Sequence, residues 1–343
     1  MFRRQSVAAL FSIALVAACG APGGSPSPAL SGTPTAGLTS PTTSPSLSST
    51  AAPTLSSPPS PTLTPATPSP TIAPPSPSPT PSPTMIVRAY FLLDDPFSGG
   101  EVVNEPALVP VLRTVPKSTA TAAAAMKALL AGPSAKERAA LPQIVTLVPA
   151  GTKLLGIEIS RGLATVDLSA DFASVGPDDA PDLGVFSLRG RLAQAVYTMT
   201  QFTTVDRVTF KLDGKPVTVF GSEDVVLDKP VTRATYRDRY LPLIFVERPA
   251  WGAALPNPGR VTGLANVNEA QFRISLLDED NKVLADSRVL ATCGSGCWGR
   301  FDVTMSYDVT TAQWGTLRVW DTSEYSGKPV AVREYPVYLR PAP

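Results

Sequence analysis

Residues 183–202 have the sequence LGVFSLRGRLAQAVYTMTQF, and residues 205–212, which follow closely, have the sequence VDRVTFKL. The apolar residues of the first segment recur at helical spacing: Leu188, Leu192, Val196 and Met199. The second segment is rich in β-branched and aromatic residues, as strands are. A helix and a strand that follow each other within one compact unit predict an α+β fold.

The flanking segments predict the rest of this α+β domain, which we place at residues 85–238. Strands are predicted from β-branched and aromatic content at residues 86–93, 108–115, 154–159, 163–168 and 205–212. A helix is predicted over Ala120–Leu130, ended by Gly132-Pro133. Asp213-Gly214 predicts a tight turn into a further strand at residues 217–220.

Residues 241–343 show a different pattern, in which short stretches of alternating apolar and polar residues are separated by turn signals. Strands are predicted at residues 272–277, 283–285, 301–307, 316–321 and 330–339. We find no helical pattern among them. Short strands at this spacing predict an all-β sandwich of about 100 residues.

The N-terminus has the pattern of an export signal. Arg3 and Arg4 precede an apolar run that ends in Val16-Ala17-Ala18-Cys19. We interpret residues 1–18 as a signal peptide. The residues before Cys19 resemble a bacterial lipobox, in which the cysteine is diacylated and becomes the first residue of the mature protein. We therefore expect an extracytoplasmic protein that Cys19 anchors in the lipid bilayer, on the outer face of the cytoplasmic membrane. A freely secreted protein with an incidental cysteine is the alternative.

A proline-rich segment separates this cysteine from the predicted domains. Residues 20–84 consist almost wholly of Pro, Ser, Thr, Ala, Gly and Leu, and none of them is charged or aromatic. Such a segment cannot bury enough apolar area to offset the entropy lost on ordering. We therefore predict a disordered linker over residues 19–84, biased towards polyproline II, that holds the domains away from the lipid.

Several motifs of the first domain resemble the bacterial GerMN domain. They are Leu108-Val109-Pro110-Val111 with Arg113, Leu129-Leu130-Ala131-Gly132-Pro133, Pro149-Ala150-Gly151-Thr152, Ala164-Thr165-Val166-Asp167-Leu168-Ser169 with Phe172, the polar and apolar residues from Gln194 to Phe202, and Asp213-Gly214-Lys215-Pro216. The resemblance covers nearly the whole domain. It implies a module of sporulation and germination lipoproteins that also occurs in bacteria that do not form spores. It further implies a fold similar to ring-building motifs of secretion-type assemblies, and no enzymatic activity.

The second domain resembles the immunoglobulin-like domain of bacterial spore germination proteins, which often follows GerMN. The resemblance is carried by Val261-Thr262-Gly263-Leu264-Ala265 with Glu269-Ala270, by Trp298-Gly299-Arg300-Phe301, and by Leu317-Arg318-Val319-Trp320-Asp321. The order of the two domains supports both resemblances.

The composition excludes several kinds of chemistry. The chain has no histidine, which excludes His-based catalytic triads, His acid–base catalysis and His-containing metal sites. Cys293 and Cys297 are separated by small, flexible residues, which in an exported protein predicts a surface disulfide that contributes about 2 kcal/mol. A net charge of +1 indicates no nucleic-acid partner. We expect no catalytic residue, no metal and no cofactor.

One face of the predicted helix carries polar residues. Gln194, Thr198 and Gln201 lie on that face and could form a contact surface for a partner. A solvated or locally hydrogen-bonded face is the alternative.

The tryptophans are the second set of candidate contact residues. Trp251, Trp298, Trp314 and Trp320 could each stack on a sugar. Trp320 alternates with core positions, so we expect it to be buried. Trp251 and Trp298 lie near predicted loops and are retained as candidates.

These observations favour a non-enzymatic adaptor or scaffold, in which the two domains present a surface to an envelope or membrane protein assembly. The rival hypothesis is a cell-wall or polysaccharide binding lipoprotein that uses exposed tryptophans. A hydrolase is the weakest hypothesis, because the usual catalytic residue types are missing or lie in predicted turns, such as Asp178, Asp179 and Asp182.

Overall fold

The computed structural model describes residues 82–93, 106–140, 143–174 and 181–343. The predicted signal peptide, Cys19, the linker up to residue 81 and the acidic residues Asp178 and Asp179 lie outside these described residues.

Within the described residues, the first domain contains three small sheets and four helices. Its elements are β1 (Thr84–Leu93), β2 (Ala107–Pro116), α1 (Thr121–Leu130), α2 (Ala135–Ala140), β3 (Ile144–Val145), β4 (Leu154–Ser160), β5 (Gly162–Leu168), α3 (Pro181–Met199), β6 (Val205–Leu212), β7 (Lys215–Pro216), β8 (Val219–Phe220), β9 (Ser222–Val226) and α4 (Arg233–Tyr240). The sheet orders are β2-β1-β3, β4-β5-β6-β7 and β8-β9.

The two long helices form the core of this domain together with β1. The alanine-rich sequence of α1 has high helical propensity and buries Ala125, Met126 and Leu129. β4 and β5 form the predicted antiparallel hairpin, whereas β5 and β6 are parallel and are connected by α3. The apolar positions predicted for α3, such as Leu192 and Val196, are fully buried.

One predicted strand of this domain is wrong. Asp213 and Gly214 both have a positive φ and form the predicted turn, but the returning strand is the two-residue β7. Residues 219–220 instead form β8, which pairs with β9. Beyond β7, the Val217 N–H still donates to the Phe210 carbonyl at 3.2 Å, and the chain then leaves β6.

The second domain is a sandwich of a three-stranded and a five-stranded sheet. Its elements are β10 (Ile244–Arg248), β11 (Ala254–Leu255), β12 (Gly259–Ala265), β13 (Gln271–Leu277), β14 (Val283–Leu290), β15 (Gly299–Met305), β16 (Gln313–Thr322) and β17 (Pro329–Leu339). The sheet orders are β10-β12-β15 and β11-β17-β16-β13-β14. The predicted fold class, an α+β domain followed by an immunoglobulin-like sandwich, is confirmed.

The strand parity of β16 corrects the prediction for Trp320. Leu317 and Val319 are fully buried, so the neighbouring position 320 must point to the other face of the sheet. Trp320 is accordingly half-buried there, beneath the guanidinium of Arg273 at 5.8 Å from the ring centroid.

Candidate functional site at the domain junction

A network of charged and aromatic side chains connects the two domains. Glu247 projects from β10 of the sandwich, and its Oε1 accepts hydrogen bonds from the Tyr90 hydroxyl at 2.8 Å and from Arg233 Nη1 at 2.9 Å. Arg88 lies 4.0 Å from the same oxygen. The Arg233 guanidinium also lies 4.7 Å from the centroid of the Tyr197 ring. We call Arg88, Tyr90, Tyr197, Arg233 and Glu247 the junction cluster.

The chain positions these groups from three elements of the first domain and one of the second. Tyr90 lies in β1 and Tyr197 in α3, where they pack with ring centroids 5.5 Å apart. Arg233 is the first residue of α4, which begins at a capping box formed by Thr232 and Thr235. Glu247 is therefore inserted between groups that the first domain holds in place.

The junction cluster shifts the ionisation of its members in opposite directions. Burial opposes the charge on Glu247, but the Arg233 charge and the hydrogen bond from Tyr90 outweigh it and hold the pKa of that carboxyl below 4.5. Burial raises the pKa of Tyr90 to about 12. Glu247 is thus an anion that accepts from a neutral phenol and a guanidinium at neutral pH.

Further contacts fix the junction on either side of the cluster. The backbone N–H of Trp251 donates to the Pro110 carbonyl at 2.9 Å, so the sandwich is hydrogen-bonded to β2. The indole N–H of Trp298 donates to Asp238 Oδ1 at 2.5 Å. Phe245 of the sandwich packs edge-on against Tyr197, with ring centroids 6.3 Å apart. The domains therefore share one continuous core.

An aromatic groove of about 480 Å³ opens beside this junction. It is lined by Val111, Leu112 and Ile144 of the first domain and by Trp251, Trp314 and Pro336 of the second. Trp251 packs edge-on against Tyr335, with ring centroids 5.9 Å apart, and Trp314 packs edge-on against Tyr338, with ring centroids 5.3 Å apart. These contacts hold both indole rings in fixed orientations, so the groove has rigid aromatic walls.

The polar face of α3 does not reach solvent at two of its three predicted positions. Gln194 and Thr198 are fully buried, so they cannot form an exposed contact surface. With Gln201 they bind the backbone of β1: Gln194 Nε2 donates to the Tyr90 carbonyl at 3.0 Å, and Thr198 Oγ1 accepts from the Tyr90 N–H at 3.1 Å. Gln201 accepts from the Arg88 N–H at 2.9 Å and donates to the Arg88 carbonyl at 2.7 Å.

This arrangement has a simple physical cause. β1 pairs with β2 along its whole length, but on its other side it pairs with β3 only at Leu92 and Leu93. The N–H and C=O groups of Arg88 and Tyr90 would otherwise remain unpaired beside α3, which is unfavourable in a core. Polar side chains at positions i, i+4 and i+7 of α3 take the place of the missing strand.

The remaining predicted residues lie in the second domain. Cys293 and Cys297 are joined by a disulfide. Trp251 and Trp298 are both half-buried at the junction, and the most exposed tryptophan is Trp314, at 49%. Trp314 was among the tryptophans that could stack on a sugar, but only Trp251 and Trp298 were retained as candidates. The sequence did contain a signal for the exposure of Trp314. Positions 314 and 320 are both even-numbered in β16, so their side chains lie on the same, outward face of the strand.

Comparison with protein-family models identifies both modules. Residues 88–218 match the family Germane, described as sporulation and spore germination. Residues 243–328 match Gmad2, the immunoglobulin-like domain of bacterial spore germination. The chain carries a Germane domain followed by a Gmad2 domain. Neither family description names an enzymatic activity. The junction cluster therefore contains Arg88, Tyr90 and Tyr197 from the Germane match, Glu247 from the Gmad2 match, and Arg233 from the segment between the two matches.

Solved structures similar to this chain include GerM domains. The tandem GerMN domains of the sporulation protein GerM from Bacillus subtilis are 14% identical in sequence to this chain, with a TM-score of 0.34. The match covers 76% of this chain and 62% of that structure. The first GerMN domain of GerM is 19% identical, with a TM-score of 0.30, over 44% of this chain and 98% of the other. A candidate lipoprotein from Clostridium perfringens is also 19% identical, with a TM-score of 0.28, over 44% of this chain and 89% of that one. A comparison with curated proteins gives no match.

Among the described residues of the Germane and Gmad2 domains, no helix has the length and apolar character needed to cross a membrane.

Proposed function

We propose that this protein is a membrane-anchored extracytoplasmic lipoprotein that acts as a non-enzymatic adaptor for an envelope protein assembly. The observation that carries the proposal is the junction cluster. Glu247 of the Gmad2 domain accepts hydrogen bonds from Tyr90 and Arg233 of the first domain, and in this proposal these bonds hold the two modules as one rigid unit. A rigid unit can present surfaces of both modules to a partner in a fixed relative orientation, at low entropic cost on binding.

The order of the segments supports the membrane anchor. The lipobox-like residues before Cys19 are followed by the proline-rich residues 20–84 and then by two domains of germination type. In this proposal the acyl chains on Cys19 hold the protein at the membrane and the proline-rich residues extend the domains towards the partner.

Replacing Cys19 by alanine is expected to release the protein from the membrane. The substitution removes the thiol that carries the diacylglycerol, and without acyl chains the described domains have no comparable anchor. The measurement is the distribution of the protein between membrane and soluble extracytoplasmic fractions of its own host. Cys293→Ala with Cys297→Ala is the matched control and should stay in the membrane fraction. A Cys19→Ala protein that also stays there would contradict the lipid anchor.

The adaptor function is tested by cross-linking in intact cells. The full chain, tagged at its C-terminus, is expected to capture one or two membrane proteins in stoichiometric amounts, identified by mass spectrometry. The same proteins should be lost from the Cys19→Ala variant, which is not held beside them. Capture of wall polymer without any stoichiometric protein would overturn the adaptor function.

Cell-wall glycan binding is the second candidate function. It is favoured by the presence of Trp251 and Trp314 in one groove, because aromatic rings can stack on sugar rings. In that case, wall polymer would be the main species captured, and its capture would depend on these two residues.

A further inference from the structure

The disulfide of the second domain closes a short loop that ends at the domain junction. The bond joins Cys293 to Cys297, and the next residue is Trp298. The indole N–H of Trp298 donates to Asp238 Oδ1 of α4, which belongs to the first domain. Trp298 is half-buried and packs against the core. The disulfide therefore directly precedes a residue that connects the two domains.

The disulfide loop is fastened to the connection between β12 and β13. The Ser295 N–H donates to the Val267 carbonyl at 2.8 Å, and the Ser295 hydroxyl accepts from the Glu269 N–H at 2.9 Å. A Cβ atom on Gly294 would collide with the backbone of Ala270, so the loop approaches this connection as closely as only glycine allows. The middle of the loop is thus fixed to the sandwich.

The chain is paired again just beyond the disulfide. The Thr292 N–H donates to the Arg300 carbonyl at 3.0 Å, and the Arg300 N–H donates to Thr292 Oγ1 at 2.9 Å. Trp298 lies between this pair and the disulfide. A cross-link reduces the number of conformations that the chain between its ends can adopt. With the disulfide closed, Trp298 therefore has little freedom to move away from Asp238.

We propose that the Cys293–Cys297 disulfide positions Trp298 for its contact with the first domain, so that reduction of the disulfide loosens the domain junction. The reductant is a dithiol. One of its thiolates attacks a sulfur of the disulfide and forms a mixed disulfide, which its second thiolate then displaces. The protein gains two electrons and two protons and ends with two thiols, while the reductant becomes a disulfide. Both cysteines are partly exposed, so a dithiol can reach them.

This coupling has a reciprocal consequence. If the disulfide favours the contact between Trp298 and Asp238, the contact must favour the disulfide by the same factor. Removal of the Asp238 carboxylate should therefore make the disulfide easier to reduce, although Asp238 lies in the other domain and 60 residues from Trp298 in the chain. A disulfide that stabilised only its own loop would not respond to this substitution.

The test is the redox equilibrium of the full chain with dithiothreitol, in a Cys19→Ala background that leaves Cys293 and Cys297 as the only cysteines. Asp238→Ala is expected to raise the equilibrium constant for reduction by about threefold, a modest factor because the Asp238 side chain is largely exposed. Glu158→Ala is the matched control. It removes the same charge from an exposed position of β4, where the carboxylate has no partner among the described residues, and should leave the constant unchanged.

A second measurement follows Trp298 itself. The chain has four tryptophans, and the indole N–H resonance of Trp298 is the one that is absent from the NMR spectrum of the Trp298→Phe variant. Reduction of the disulfide is expected to shift this resonance in the same direction as Asp238→Ala does in the oxidised protein. In the reduced protein, Asp238→Ala should cause a smaller shift, because the contact is already weakened. Thermal unfolding of each variant verifies that it is folded.

Two results would overturn the proposal. One is an equilibrium constant for reduction that Asp238→Ala leaves unchanged or alters no more than Glu158→Ala does. The other is an indole resonance of Trp298 that stays in place when the disulfide is reduced. Either result would show that the disulfide stabilises only its own loop. The adaptor function is judged separately by cross-linking in cells, because the junction cluster contains neither the cysteines nor Trp298.

Discussion

Replacing Glu247 by alanine is expected to lower the free energy of unfolding by about 3 kcal/mol. The substitution leaves the Arg233 guanidinium, whose side chain is 23% exposed, between the Tyr90 and Tyr197 rings without its anionic partner. It also removes the acceptor of the Tyr90 hydroxyl. Removal of one member of a buried pair costs more than the pair itself contributes, because the remaining charge stays desolvated. Urea unfolding of the full chain measures the change.

The matched control is Glu334→Ala. Glu334 pairs with Arg318 on the outer face of the sandwich, where both side chains are exposed. Exposed pairs contribute little, so we expect a change of about 0.5 kcal/mol or less. Equal effects of the two substitutions would contradict the role that we assign to the junction cluster.

The pH dependence of stability separates the charge of Glu247 from its shape. Because the pKa of Glu247 is lower in the folded protein than in the unfolded chain, its contribution to stability is present above the unfolded pKa and is lost as the pH falls through the folded pKa. Glu247→Gln keeps the shape but does not titrate. The difference in unfolding free energy between wild type and Glu247→Gln should therefore be largest at neutral pH and shrink as the pH falls through the folded pKa of Glu247. A difference that is constant with pH would show that packing, and not charge, holds the junction.

Local patterns in the sequence predicted most of the fold but little of the junction. The helical spacing of Leu188, Leu192, Val196 and Met199 predicted a helix whose core face is indeed buried. Glu247 had no comparable signal, since its partner Tyr90 lies 157 residues away in the chain. Periodicity reports which face of an element is buried, but it does not report which distant element covers that face.

The same limit explains the interpretation of the tryptophans. Trp251 and Trp298 were predicted as contact residues because they are tryptophans near predicted loops. In the folded chain, both instead make hydrogen bonds to the first domain, and the sequence gives no local signal for these bonds. The alternation along β16 predicts the orientation of Trp320. Leu317 and Val319 are buried, so the even-numbered position 320 lies on the outward face of the strand. Trp314 shares the outward parity and opens onto the groove. Strand parity was thus more informative than the identity of the residue.

Replacing Gln194 by alanine is expected to cost about 3 kcal/mol. Its side chain is fully buried and satisfies two backbone groups from different segments: it donates to the Tyr90 carbonyl at 3.0 Å and accepts from the Leu147 N–H at 2.9 Å. Alanine leaves both groups desolvated and unpaired and also opens a cavity. Urea unfolding measures the loss, and amide hydrogen exchange should be faster at Leu147 in particular.

The control for this substitution is Gln313→Ala at the start of β16, where the half-buried glutamine side chain has no hydrogen-bond partner among the described residues. It should change the unfolding free energy by about 0.5 kcal/mol or less. If both glutamines proved equally costly, Gln194 would not be completing the edge of β1. Unchanged exchange at Leu147 would contradict its hydrogen bond to Gln194. If the difference is found, the polar face of α3 is a structural device that completes a sheet edge. Of the predicted contact residues, the tryptophans at the domain junction then remain, and one of them, Trp251, lines the aromatic groove together with Trp314.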